Sequence, residues 1–351
     1  MHTLRMPDKT KQRIKRCSLD CDDITFGPML GQGTAGEVFS GMCNGEKVAL
    51  KRLRELPYAQ PNDNESVKLL LQELKVLSRQ IRHPCIVDFR GFSQDQAHSI
   101  VLVFDLMEGG SLEEYFGSKP LPPSHTTALS WATQLLEGVS FLHGMEAPIV
   151  HRDLKPANLL LTKDRKNLKI GDFGLARGIK ATLEGHGEQL LPLSRLGSPS
   201  RLQSGSRLLP RNVSLSSERD MTTWVGTPRF MAPEISGGGH YTEKVDVYAA
   251  ALIVWHIFTG VLPWARYEGA DALSMAVTGI RPPLPKRVPS NVAEIIVAGW
   301  HHDPKQRLSA PKMLAMLQAA PGGAFSSSSC IIAPLASLFS RRSRRQRAQQ
   351  T

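Results

Sequence analysis

Apolar positions change their period several times along this chain. Residues 1–18 show little apolar pattern: Lys9, Lys11, Arg13, Lys15 and Arg16 have few apolar partners, and the stretch reads as a solvated arm. Ile24 to Leu30 has the character of a first strand, and Glu37-Val38-Phe39-Ser40 that of a second, with a glycine-rich stretch between them. Val48-Ala49-Leu50-Lys51 reads as a third strand. Its alternation puts Val48 and Leu50 on one face, Ala49 and Lys51 on the other. Over 64–82 the period turns helical: Val67, Leu70, Leu71, Leu74, Leu77 and Ile81 recur at three- and four-residue spacing, with Asn64 placed as N-cap. Ile100 to Phe104 is a continuous apolar run of strand type. From Ser111 to His143 the pattern is helical again, with Leu129, Ala132, Leu135, Leu136, Val139 and Leu142 on one face. Tyr241 to Trp264 reads as a large central helix and its exit. The longest apolar run, Ala249 to Leu262, is interrupted by His256 and is too short to span a bilayer, so it reads as a buried core helix.

Composition adds limits to this outline. The 351 residues suffice for one large or two ordinary domains, and 41% hydrophobic content supports a core. The formal net charge is +11, but its placement matters more than its size. Residues 1–16 carry +5, residues 178–219 carry +3 and residues 340–351 carry +5, which leaves the remainder at −2. The positive charge thus belongs to appendages, which argues against a basic nucleic-acid-reading body. The five cysteines are odd in number and form no Cys-x-x-Cys, so neither a disulfide framework nor a zinc site is expected, and a reducing, cytoplasmic compartment is. The basic N-terminus lacks the apolar core of a secretory signal.

Chemistry concentrates in three places. Gly31-Gln32-Gly33-Thr34-Ala35-Gly36-Glu37-Val38 is a loop whose glycines let backbone N–H groups approach phosphates. A dinucleotide-binding turn is the rival reading, but it needs a helix directly after the glycines and an acid about 20 residues on. Here a strand follows, and the residue at that distance is Lys51. The second place is His151-Arg152-Asp153-Leu154-Lys155-Pro156-Ala157-Asn158, and the third is Asp172-Phe173-Gly174. Two aspartates and an asparagine are hard oxygen donors, suited to Mg²⁺ shared with phosphate oxygens.

In order and spacing these motifs resemble those of a protein kinase, in the serine/threonine form, with a likeness to the tyrosine-kinase-like group in the run from Asp246 to Trp255. The resemblance covers about residues 24–319. It implies an α+β, two-lobed fold: a small β-rich lobe over 24–107 and a large helical lobe over 108–319, with a basic tail at 1–23 and a Ser-rich, basic tail at 320–351. ATP and Mg²⁺ are the implied cofactors. Asp153 would orient the acceptor hydroxyl and take its proton, Lys155 would sit near the transferred phosphate, and Asn158 and Asp172 would hold metal. Lys51 would reach the α- and β-phosphates, paired with Glu73 in preference to Glu65. Around the nucleotide the resemblance places the 31–36 loop, Val38 and Ala49 above the adenine, Leu160 below it, Phe104 limiting the space behind, and the backbone of Asp105 and Met107 at its edge. Asp246 would brace the catalytic loop, and Arg307 would pair with Glu234.

Lys155 and the segment Gly226 to Glu234 resemble the serine/threonine form, so protein Ser/Thr hydroxyls are the expected acceptors. A nucleotide-binding scaffold acting through its insert and tails is the alternative, and a small-molecule kinase a third reading. Between Asp172 and Glu234 lie 61 residues, long for this segment. The excess, 178–219, reads as a disordered insert with Arg-x-x-Ser patterns at Ser198, Ser204 and Ser214. Thr222 and Thr223 are the better phosphosite candidates, with Arg152 as the cation that would pair with an added phosphate. The C-terminal tail combines an apolar run, Ile331 to Phe339, with Arg341 to Arg347; nuclear entry or peripheral membrane contact, helped by acylation of Cys330, are its functional readings.

Overall fold

The computed structural model describes residues 8–19, 24–33, 36–53, 73–79, 81–94, 99–174, 176–178, 228–236 and 242–319. Thr34, Ala35, the first part of the helix expected over 64–82, most of the insert, Thr222, Thr223 and the tail 320–351 lie outside these residues.

Strands β1 (Ile24–Gly33), β2 (Gly36–Cys43), β3 (Glu46–Leu53), β4 (Phe89–Gln94) and β5 (Ile100–Asp105) form one antiparallel sheet in the order β1-β2-β3-β5-β4. The alternation in β3 decides its two faces. Val48 and Leu50 are wholly buried and cluster with Cys43, Val101 and Val103. On the opposite face the register sets Val38 across from Lys51, and Ala49 across from Phe104. Residues directly opposite share a face, so these four side chains line one surface. Gly36 makes the turn into β2 feasible: its φ is +149°, and a Cβ would stand 2.1 Å from the Arg52 carbonyl oxygen. Beneath the sheet, residues 73–77 are helical (α2).

The second part is helical. Helix α3 (Leu112–Ser118) opens on a capping box between Ser111 and Glu114, and α4 (His125–His143) is capped by Ser124. The sequence pattern reads 111–143 as one helical stretch; the chain instead leaves the helix over 119–124, where Pro120, Pro122 and Pro123 withdraw N–H donors from the ladder. After the short α5 (Pro233–Ser236) comes the central helix α6 (Lys244–Thr259), in which every residue from Val245 to Thr259 is buried. A helix apolar on all sides can only be buried. It stops at Gly260, left-handed at φ +67°, whose N–H returns to the His256 carbonyl. Helix α7 (Gly269–Val277), α8 (Ser290–Gly299) and α9 (Ala310–Gln318) complete this part; α4 packs on α6 and α9, and α6 on α8.

The N-terminal arm corrects the sequence reading. Residues Asp8–Arg16 form helix α1, and the chain beyond it pairs Ser18 with Phe92 on β4. The lysines and arginines do face solvent, but Ile14 and Leu19 find apolar partners that the local pattern could not reveal.

Candidate active site

Two short ladders set the chemical loops side by side. Strand β6 (Ile149–Val150) leads into loop 151–158 and β7 (Leu159–Leu161) leaves it. β7 pairs with β8 (Leu168–Ile170), which delivers Gly171 to Gly174, and β9 (Arg177–Gly178) returns to pair with β6.

The loop hangs from one buried carboxylate on α6. Asp246 accepts from the His151 N–H at 2.8 Å, the Arg152 N–H at 2.8 Å and His143 Nε2 at 2.9 Å. Burial works to raise its pKa, but the His143 hydrogen bond and the nearby imidazoles and amides outweigh this and leave it below the ordinary carboxylate range. Arg152 takes φ +71°, a conformation costing about 1–3 kcal/mol, and the bond from its N–H to Asp246 helps hold it there. His151, with no exposed surface, donates from Nε2 to the Gly171 carbonyl at 2.9 Å and so ties the two loops together.

A carboxyl whose folded pKa is depressed stabilises the protein at every pH above its unfolded value, and that contribution fades as pH falls through the lower folded value. Asp246→Asn should therefore cost about 1–3 kcal/mol at pH 7, the range for a buried hydrogen-bonding group left unsatisfied. The gap to the parent should shrink below about pH 4, the ordinary Asp value. Urea melts at stepped pH check this, and a gap that stays constant into strong acid would refute it.

Around Asp153 two side chains converge. Lys155 Nζ lies 2.8 Å from Asp153 Oδ2. Asn158 Nδ2 donates to the Asp153 carbonyl at 2.7 Å and to Oδ2 at 3.0 Å, which leaves its amide oxygen as the free acceptor. Asp153 Oδ1 is buried without a hydrogen-bond partner. An orphan acceptor in that position suits an incoming hydroxyl donor.

The second convergence is at Lys51. Its ammonium lies 3.1 Å from Glu73 Oε1 on α2 and 2.8 Å from Asp172 Oδ1. Burial alone would lower the Lys51 pKa, but the two carboxylates outweigh it and raise the value. Asp172 keeps 40% of its side chain open, while the protein crowds its other sides. That crowding works to raise its pKa, yet the Lys51 charge and hydrogen bond prevail and hold it down to about 2. Glu73 moves the other way: its desolvation exceeds what Lys51 returns, so its pKa is raised.

Val38, Ala49, Phe104, Leu160 and Met107 are each half-buried, and Phe104 packs against Phe89 with centroids 5.4 Å apart. The Asp105 N–H already donates to the Asp88 carbonyl at 3.0 Å, so its carbonyl is the group left for a ligand edge. Gly31 and Gln32 are exposed at the end of β1.

The donor set fits the implied cofactors. Asp172 and the Asn158 amide oxygen are hard ligands, and among the described residues no cluster of three or more His, Cys, Asp or Glu gathers. A cation here would share oxygens with phosphates, as Mg²⁺ does.

Farther off, Arg307 forms a bidentate pair with Glu234 at 2.7 and 2.8 Å. Sequence reasoning missed His143 and Arg229. The Arg229 guanidinium donates to the carbonyls of Pro263, Trp264 and Tyr267, fixing the segment before Glu234 to the loop after α6. No local signal marks either residue; their partners lie 103 and 34–38 positions away.

Comparison with known proteins agrees with this geometry. A family model described as "Protein kinase domain" matches residues 24–317. A probable serine/threonine-protein kinase of Dictyostelium discoideum is 31% identical over 316 residues, covering 90% of this chain and 30% of that protein. The human serine/threonine-protein kinase TNNI3K is 29% identical over 291 residues, covering 82% of this chain and 30% of its own length. Bovine mitogen-activated protein kinase kinase kinase 7 is 31% identical over 304 residues, covering 85% and 44%. The chain thus spans less than half the length of these relatives.

Proposed function

The chain belongs to the protein kinase family, in its serine/threonine form, and from that premise we propose that it transfers the γ-phosphoryl group of ATP to Ser or Thr hydroxyls of protein substrates. The observation that carries this reading is the junction at Lys51, where the sheet, α2 and the Asp172 loop meet within 3.1 Å. Phosphoryl transfer asks a protein mainly for positioning and charge stabilisation. Bound Mg²⁺ would neutralise charge on the phosphates, held by Asp172 and the Asn158 amide oxygen. Lys51 would contact the α- and β-phosphates, with Glu73 fixing its direction. The adenine would sit between Val38 and Ala49 on one side and Leu160 on the other, with the Asp105 carbonyl and the Met107 backbone at its edge and Phe104 behind.

Asp153 Oδ1 is the acceptor aimed at the incoming hydroxyl. It orients that group and takes its proton as the oxygen attacks phosphorus and the bond to the leaving ADP oxygen breaks. Lys155, 2.8 Å from Asp153 Oδ2, holds that carboxylate in place and presents a cation to the equatorial oxygens of the moving phosphoryl group. Lys155, two residues after Asp153, and the 226–234 segment support Ser/Thr acceptors over tyrosine.

The test is phosphoryl transfer from Mg-ATP to a mixture of protein acceptors, with products mapped by mass spectrometry. Asp153→Asn should lower turnover about 10²–10⁴-fold, the usual worth of a positioned acid–base group. Transfer undiminished in Asp153→Asn would remove the assigned base; phosphate found on tyrosine alone would remove the Ser/Thr assignment. The same maps report whether Thr222 and Thr223 are self-modified.

A further inference from the structure

Helix α1 turns a cationic face to solvent. Only Thr10 and Ile14, four apart and so on one side, are half-buried; Asp8, Lys9, Lys11, Gln12, Arg13, Lys15 and Arg16 are exposed. Ile14 packs on the main core. The chain just past the helix is fixed to the open edge of the sheet. The Phe92 N–H on β4 donates to the Cys17 carbonyl and the Leu19 N–H to the Phe92 carbonyl, both at 2.8 Å. Gly91 permits the approach, because a Cβ there would stand 2.6 Å from the Cys17 carbonyl oxygen. Leu19 packs on the cluster of Val48, Leu50, Val101 and Val103. The helix is thus anchored at Ile14 and at its exit, and its polar side is a built surface.

With Thr10 and Ile14 turned inward, Gln12 lies near the middle of the outward face. Its neighbours at three and four residues are Asp8, Lys9, Lys15 and Arg16, and Lys11 and Arg13 stand at the flanks. Five cations and one acid therefore share a helix about 14 Å long. The acid, Asp8, is 3.6 Å from Lys11. Such a face calls for a polyanion. A nucleic acid would have to continue past one short helix, and outside its three basic segments the chain carries −2. The C-terminal sequence points to a bilayer instead: the apolar run from Ile331 to Phe339 directly precedes Arg341 to Arg347, a pairing of apolar and basic residues suited to a lipid interface. No exposed side chain of α1 is apolar, so the helix can adsorb through charge without inserting. We propose that the outward face of α1 is a docking surface for an anionic lipid bilayer. This contact goes beyond the phosphoryl-transfer reading and does not depend on it.

The experiment measures co-sedimentation of the full chain with vesicles of phosphatidylcholine alone and of equal parts phosphatidylcholine and phosphatidylserine. Wild type should partition onto the second and not the first, and added salt should release it. Gln12→Lys should strengthen the partition about fivefold and Gln12→Glu weaken it about fivefold, the factor for one charge near such a surface. Gln318→Glu, an equal charge change at an exposed position on α9, should leave it within about twofold. Lys9→Gln, Lys15→Gln and Arg16→Gln together should weaken it about a hundredfold. Lys9→Arg, Lys15→Arg and Arg16→Lys together should keep it, which a merely structural role for these side chains does not require. Absence of wild-type binding, Gln12 variants that match each other, or a Gln318→Glu loss equal to that of Gln12→Glu would overturn the surface. So would a triple Gln variant that partitions like wild type, because the C-terminal tail would then account for all of the binding. Tighter capture of double-stranded RNA or polyglutamate than of the vesicles at equal salt, with the same Gln12 dependence, would overturn the lipid assignment.

Discussion

Asp172→Ala is expected to bring phosphoryl transfer to the background of the assay, a loss on the order of 10³-fold or more, larger than the usual cost of one electrostatic contact because two roles go together. The carboxylate is the charged member of the proposed Mg²⁺ donor set, and it is also a partner of Lys51 at 2.8 Å. Its pKa, held down to about 2, keeps it ionised throughout the pH range in which the enzyme would be assayed. No acid limb of the pH–rate profile above about pH 4, the ordinary Asp value, should therefore belong to it. Backbone and charge effects can be separated. Asp172 sits at φ +56°, where Asn is tolerated far better than Ala, so Asp172→Asn removes the charge while keeping the turn. Both variants should need much more Mg²⁺ for whatever turnover remains. Wild-type rates with an unchanged Mg²⁺ titration in either would sink the metal assignment.

Arg307→Ala should be the most damaging single change to stability, at about 3–5 kcal/mol, the range for breaking a buried ion pair from one side. The Arg307 side chain has no exposed surface. It donates to both Glu234 oxygens and to the carbonyls of His301, His302 and Lys244, and its guanidinium lies 4.9 Å from the Tyr248 ring centroid. Removing it strips both Glu234 oxygens and three backbone carbonyls of a charged donor. Arg307→Lys should recover little, because a single ammonium cannot reproduce the fork. Urea unfolding with tryptophan fluorescence would measure the shift; a loss within about 0.5 kcal/mol, typical of a surface substitution, would mean that the pair contributes little.

Much of the site could be read from the residue string because its parts are contiguous or strictly periodic. The loop from His151 to Asn158 and the turn at Asp172 are local motifs, and the β3 alternation correctly put Ala49 and Lys51 opposite Val48 and Leu50. The break after Ser118 was also written in the chain, in three prolines, but the apolar pattern alone ran across it. The arm is a different case. Its lysines and arginines dominate the local composition, and only the open edge of β4, supplied from residue 89 onward, turns Cys17 to Leu19 into a pairing segment.

By itself the sequence determined the first three strands, the apolar strand at Ile100, the buried central helix and the family. The physical reason is that backbone preference, apolar period and motif spacing act over a few residues. Tertiary structure alone decided that Asp172 joins the expected Lys51–Glu73 pair, that His143 joins Asp246, that Asp153 Oδ1 is left without a donor, and that Arg229 secures the loop after α6. These depend on burial and on distances between groups far apart in the chain, and the strength of a charge or an unmade hydrogen bond is set by that surrounding and not by its neighbours in sequence.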